Sequence, residues 1–319
     1  MDAEPLTDPS SLSPLTPPPP VGPASVIFLN EKGLRAGWRL LLYAVFVAAL
    51  GFSGGMVLRH FAPPTRGVFS PRYLFAGEIF SLVVVFGAAL IMSRIEHRSP
   101  GVYGLPARDA FGKLFWQGFL IGLVEISALV GLISAFGGYS FGTLAVHGGE
   151  LWRWAVLWAV FFVFVGLFEE FLFRGYTQFT LADGIGFWPA AILLSVSFGA
   201  VHLGNSGEGW VGAAAVVMIG LIFARTLQRT GNLWFAVGLH ASFDFGETFL
   251  YSVPNSGMVF DGHLSNASLH GAKWLTGGTV GPEGSVFSFL TMAVLAVVVH
   301  KLYPAKSSNP MPNQATQTF

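Results

Sequence analysis

Cysteine is missing from all 319 positions, so the chain has neither a disulfide framework nor a thiolate metal site. Charge is nearly as scarce. Asp, Glu, Lys and Arg make up 11% of the residues, against about 25% in a soluble domain, which is too little to solvate a water-facing surface. The 17 basic and 17 acidic side chains cancel, so no global field draws a polyanion, and this argues against a nucleic-acid partner. No Lys or Arg precedes Lys32, and an N-terminus without a basic start and an apolar stretch lacks the pattern of a secretory signal. Several reaction signatures are missing as well: a GxSxG serine elbow, a cysteine nucleophile, HExxH and a phosphate-binding glycine loop.

What is present is apolar mass. Hydrophobic residues are 53% of the chain and the mean hydropathy is +0.61. A helix needs about 20 mostly apolar residues to cross a bilayer core, and stretches that meet or approach this lie at 37–57, 73–92, 112–136, 151–173, 186–202, 210–228, 231–251 and 284–303. Runs such as LWRWAVLWAVFFVFVGLF show no period-two alternation, which excludes a membrane β-barrel. The expected fold is an all-α polytopic bundle of about eight spans; the fifth and sixth are short and Gly-rich, so seven spans plus a re-entrant segment is the alternative. Residues 1–29, rich in Pro, Ser and Thr, read as a disordered tail, residues 30–303 as one transmembrane domain, and residues 304–319 as a polar tail.

Basic residues orient the bundle. Lys32, Arg35, Arg39, Arg94, Arg98, Arg108 and Lys113 fall on the side of the N-terminus, with Arg174, Arg225, Arg229, Lys301 and Lys306. Only Arg59, Arg66, Arg72, Arg153 and Lys273 fall opposite. This places both termini in the cytoplasm and the long loop 252–283 outside.

Polar residues at membrane depth concentrate in spans four to seven. A carboxylate at a helix centre costs about 2.5–3.5 kcal/mol on insertion scales, so such residues face the protein interior and are paired or functional. The run GLFEEFLFRGY puts Glu170 and Arg174 four apart on one helix face, able to pair. Glu169 sits about 100° around the helix and lacks that partner; a desolvated carboxylate beside another acid suits a general base or acid, and the plain alternative is a charge cluster snorkelling to the interface. His202 closes span five, and taken alone reads as a hydrogen-bonded structural residue. His240 and Asp244 share a face of span seven, where they can hold a metal, orient an imidazole or simply join two helices. Glu247 lies one turn further and reads as a supporting residue or interface charge. Glu78 and Glu125 have no sequence-local partner and read as structural. Three polar clusters on successive apolar helices are tolerated together only if they converge on one site.

At these residues the chain resembles the CPBP family, the type II CAAX prenyl endopeptidases and their bacterial Abi relatives. The family pattern EExxxR, FxxxH and HxxxN/D appears in order as Glu169-Glu170…Arg174, Phe198…His202 and His240…Asp244, within roughly residues 150–250. The resemblance implies hydrolysis of a peptide bond of a membrane-associated substrate, extending to CAAX-type processing, in a multi-pass protein of a bacterial cytoplasmic membrane. It casts Glu169 as base for a water also held by His202, and Glu170 as partner of Arg174 bracing the helix. His240 and Asp244 would polarise the scissile carbonyl or complete the water site, with Phe198 as packing. Two mechanisms stay open. One is a metal-free glutamate protease; the other holds Zn2+ on His202, His240 and Asp244. A different class, a proton- or cation-coupled transporter relaying through the same Glu and His residues, is the competing reading, and a catalytically silent scaffold is a third.

Overall fold

A computed structural model describes residues 27–30, 33–61, 71–205 and 207–304. The expected Pro-rich tail up to residue 26 and the C-terminal stretch 305–319 lie outside the described residues. Regular structure begins just before the expected boundary, where β1 (Leu29–Asn30) pairs with β2 (Gly33–Leu34).

The apolar runs are helices. They are α1 (Ala36–Phe61), α2 (Pro71–Ile95), α3 (Lys113–Ala135), α4 (Gly148–Arg174), α5 (Tyr176–Ile185), α6 (Phe187–His202), α7 (Trp210–Thr230), α8 (Trp234–Phe245) and, after a long loop, α9 (Val286–Leu302). Five described segments are long and apolar enough to cross a membrane: Ala36–His60, Tyr73–Ile95, Lys113–Ala135, Gly148–Ile185 and Trp210–Thr230. The other three expected spans are helical but short. At 16 residues α6 rises about 24 Å, less than the roughly 30 Å hydrocarbon core. The seventh expected span starts later than its hydropathy suggests, at Trp234, and after Phe245 it widens into a π-helical turn, Gly246–Leu250. The short helix α5 was not among the expected elements; it follows α4 after the single residue Gly175, whose backbone N–H bonds to Phe171 O at 2.9 Å.

α8 lies at the centre. Leu233, Phe235, Ala236, Val237, Leu239, Ala241 and Ser242 are all buried, because α3 and α4 close over it. Along one stripe α3 and α8 approach at backbone distance. A Cβ on Gly118 would lie 2.0 Å from Phe235 O, one on Gly122 2.5 Å from Leu239 O, and one on Gly238 2.1 Å from Phe115 O. Gly118 and Gly122 form a GxxxG face, and small residues of this kind let membrane helices approach at backbone distance. Gly166 gives α4 a similar approach, 3.1 Å from Val237 O.

The two ends of the bundle are fastened differently. At one end Arg39 of α1 binds Glu96 at 3.2 Å and Asp183 of α5 at 2.7 Å, while Arg98 approaches Asp183 at 3.4 Å and Tyr176 donates to Glu96. At the other end β3 (Tyr139–Ser140) pairs with β4 (Ser268–Leu269), and a single bridge joins Leu144 to Ser265. These contacts fold the segment 252–283 back over the bundle.

Candidate active site

The three motif helices meet around Arg174. Its guanidinium, 1% exposed, binds Glu170 Oε1 at 3.2 Å and lies over the Phe198 ring with its carbon 4.3 Å from the centroid, with Phe223 of α7 at 5.6 Å. Cation–π contacts strengthen when water is excluded, so the phenylalanine of FxxxH holds the arginine of EExxxR, beyond the packing role that sequence assigns it. A Cβ at Gly220 would come within 2.4 Å of Arg174 Nη2, which is why α7 carries glycine there.

Glu170 also reaches α8. His240 Nδ1 is 3.0 Å from Glu170 Oε1, so one buried carboxylate oxygen serves both Arg174 and His240. The opposite nitrogen, Nε2, faces two further acids, Asp244 Oδ2 at 3.5 Å and Glu169 Oε2 at 3.7 Å. The imidazole is stacked on Phe223, with centroids 5.8 Å apart and planes at 18°. One turn of α6 carries the other histidine. His202 Nδ1 bonds to Phe198 O at 2.8 Å, and its ring meets the Phe198 ring edge-on at 4.6 Å. When Nδ1–H is donated to that carbonyl, Nε2 of the neutral ring is left as an acceptor.

Glu169, His202, His240 and Asp244 line one cavity of about 290 Å³. Glu170 does not; it stands behind His240. Glu78 of α2 and Glu125 of α3, read from sequence as structural, line the same cavity, and Glu78 is close enough to Glu169 and His240 to feel their charges. Glu247, on the π-helical turn, is fully buried behind Asp244.

Asn255 and Glu283 line the cavity too and are among the residues that the sequence reading missed. Asn255 is buried and its Nδ2 is 3.4 Å from the Asp244 carbonyl, so an amide stands beside the aspartate of the last motif. Glu283 accepts from the Ser256 backbone N–H and lies within electrostatic reach of His202; burial pushes its carboxyl up from the usual range, His202 and Ser256 opposing. Both belong to the polar segment after α8, where Asn and Glu are unremarkable and no local pattern marks them. The arrangement can hold a water between a carboxylate and an imidazole, surrounded by Phe161, Phe162 and Phe260. Among the described residues no group of three His, Asp or Glu side chains is arranged to hold a metal ion.

Residues 151–246 match the family model described as type II CAAX prenyl endopeptidase Rce1-like. No curated protein and no solved structure matches the chain. The Rce1-like segment runs from α4 to the first residue of the π-helical turn and contains every residue of the three motifs, whereas Glu78, Glu125, Asn255 and Glu283 fall outside it. The match supports an intramembrane CAAX-type protease, whose substrate is a membrane-associated protein. With the long apolar helices, it makes this an integral membrane protein.

Proposed function

We propose that the chain hydrolyses a peptide bond of a membrane-associated substrate within this cavity, with Glu169 as general base. The observation that carries the reading is the division of labour around His240: Glu170 occupies Nδ1 at 3.0 Å, while Nε2 turns to the cavity acids Asp244 and Glu169. A ring braced in this way has one nitrogen free to answer charge changes in the cavity.

Glu169 takes a proton from the attacking water, which His202 Nε2 also holds, and returns it to the leaving amine. His240, fixed by Glu170, offers its Nε2–H to the developing oxyanion when protonated. An ionised aspartate only accepts hydrogen bonds, so Asp244 serves to hold the imidazole. The amide of Asn255, beside Asp244, supplies a neutral donor toward the same oxygen, as oxyanion stabilisation requires. Arg174 acts through Glu170, and Phe198 through both Arg174 and His202.

The test is cleavage of fluorogenic membrane peptides by purified protein in liposomes. Glu169→Gln keeps side-chain shape but cannot accept the proton, and cleavage is expected to fall by roughly 10²–10⁴-fold while peptide binding persists. Unchanged cleavage removes Glu169 from the mechanism. A wild-type protein that cleaves nothing but passes protons in a Glu169-dependent way is a transporter.

A further inference from the structure

Glu125 is an anomaly the hydrolytic chemistry does not use. It is 7% exposed, lines the cavity, and its Oε2 has no hydrogen-bond partner among the described residues. Burial of an unpaired carboxyl is costly.

Its neighbours define what it faces. Ile121, one turn before Glu125, packs in the cluster that holds Met292 of α9, and Leu129, one turn after, packs in the cluster that holds Phe287. α3 and α9 run antiparallel, with Tyr303 Oη donating to Gln117 Oε1 at one end and Phe136 packed on Phe287 at the other, and α9 brings two hydroxyl groups, Ser288 and Thr291, to the cavity that Glu125 lines. Both hydroxyls line the cavity, and both have spent their protons on backbone: Ser288 Oγ donates to Ser285 O at 2.7 Å and Thr291 Oγ1 to Ser288 O at 3.1 Å. Only lone pairs remain to face the cavity. Leu129, Ile219 and Met292 supply apolar wall, and among the described residues no Lys or Arg lines the cavity.

An apolar sleeve ending in acceptors, one of them a carboxylate, is the complement of an aliphatic stem ending in several N–H donors. We propose that Glu125, Ser288 and Thr291 form a subsite for a lysine or arginine side chain of the substrate, near the scissile bond. This rests on the hydrolytic reading above and adds the class of substrate. A lysine ammonium brings three donors to the carboxylate and the two hydroxyl oxygens, and its stem lies along Leu129 and Met292.

The experiment uses the full chain in liposomes and matched membrane peptides that carry lysine, norleucine or glutamate at each position flanking the cleaved bond. At one position, wild type is expected to favour lysine over norleucine by about ten- to a hundredfold in kcat/KM, the range that charge-assisted hydrogen bonds give. Glu125→Gln should bring that ratio toward one, and Glu125→Lys should turn the preference to the glutamate peptide. Where those variants do not fold, the ratio in wild type decides, and Thr291→Val, which removes one acceptor, should lower it in part. Cleavage by wild type with no lysine preference at any position overturns the subsite and leaves the hydrolytic reading standing. So does a ratio that survives Glu125→Gln. If no peptide is cleaved, the hydrolytic reading fails and takes the subsite with it.

Discussion

His240 Nδ1 and Arg174 Nη1 converge on a single oxygen, Glu170 Oε1, at 3.0 and 3.2 Å. Glu170 is 0% exposed, so this oxygen is the joint between α4 and α8, and through the ring of Phe198 it extends to α6.

Arg174→Ala leaves Glu170 buried without its strongest partner and removes the cation from between two phenyl rings. Breaking a buried pair costs about 3–5 kcal/mol, so the variant is expected to accumulate poorly and to melt well below wild type in detergent. Arg174→Lys keeps charge but cannot lie flat on Phe198, and an intermediate melting temperature is expected. Normal thermal stability of Arg174→Ala with cleavage lost would instead make the arginine part of the chemistry.

The glutamate mechanism needs no ion. Activity of purified protein is expected to persist in a strong membrane-permeant chelator and to be unaffected by added zinc. Loss with the chelator and recovery with zinc would show that His202, His240 and Asp244 rearrange into a ligand set on binding metal, with the ion supplying the activated water.

Asn255→Ala removes the amide beside Asp244. A lost oxyanion donor costs about 10²–10³ in kcat, so kcat is expected to fall by that order with KM little changed. Asn255→Asp keeps the shape, adds a further acid next to Asp244 and Glu283, and should be no better. A change confined to KM would assign Asn255 to substrate binding.

Much of this site shows in the sequence because charge is costly in a membrane helix. Glu169, Glu170, His202, His240 and Asp244 stand out against apolar neighbours, and helical spacing alone pairs Glu170 with Arg174. The same contrast flags Glu78 and Glu125, yet nothing local says that α2 and α3 bring them to the cavity, since that depends on how distant helices pack. Asn255 and Glu283 give no signal, being polar residues in a polar loop. The tight contact of α8 with α3 went unread, although Gly118 and Gly122 stand four apart in an apolar run, because choosing Gly238 as their partner requires the fold. The π-helical turn at Gly246–Leu250 leaves no mark in hydropathy.

Glu283 makes stability depend on pH. Burial raises its carboxyl above the ordinary value of 4.5 in the folded protein, so the folded state binds this proton more tightly than the unfolded chain does. Its stabilising share is complete below pH 4.5 and is lost as pH rises through the folded-state value. Glu283→Gln, which stays neutral, is expected to match wild type in acid and to melt progressively higher than wild type as pH approaches neutrality. A difference in melting temperature that does not vary with pH would mean that Glu283 carries no such penalty.

Between α3 and α8 the backbones touch at Gly118, Gly122 and Gly238, and this fixes where the cavity can yield. A helix pressed against its neighbour at backbone distance has little compressible layer along that stripe and cannot roll about its axis without prying the pair apart. His240 and Asp244 therefore keep their bearing relative to α3, the anvil of the site. The opposite wall carries Asn255, Ser256 and Phe260 on irregular backbone, held by the ladder β3–β4, the bridge at Ser265 and separate loop bonds such as Leu264 N–H to Phe249 O and Trp158 Nε1–H to Asp261 O. Among the described residues, amide exchange is expected to be slower along α8 than along the irregular backbone of 252–267.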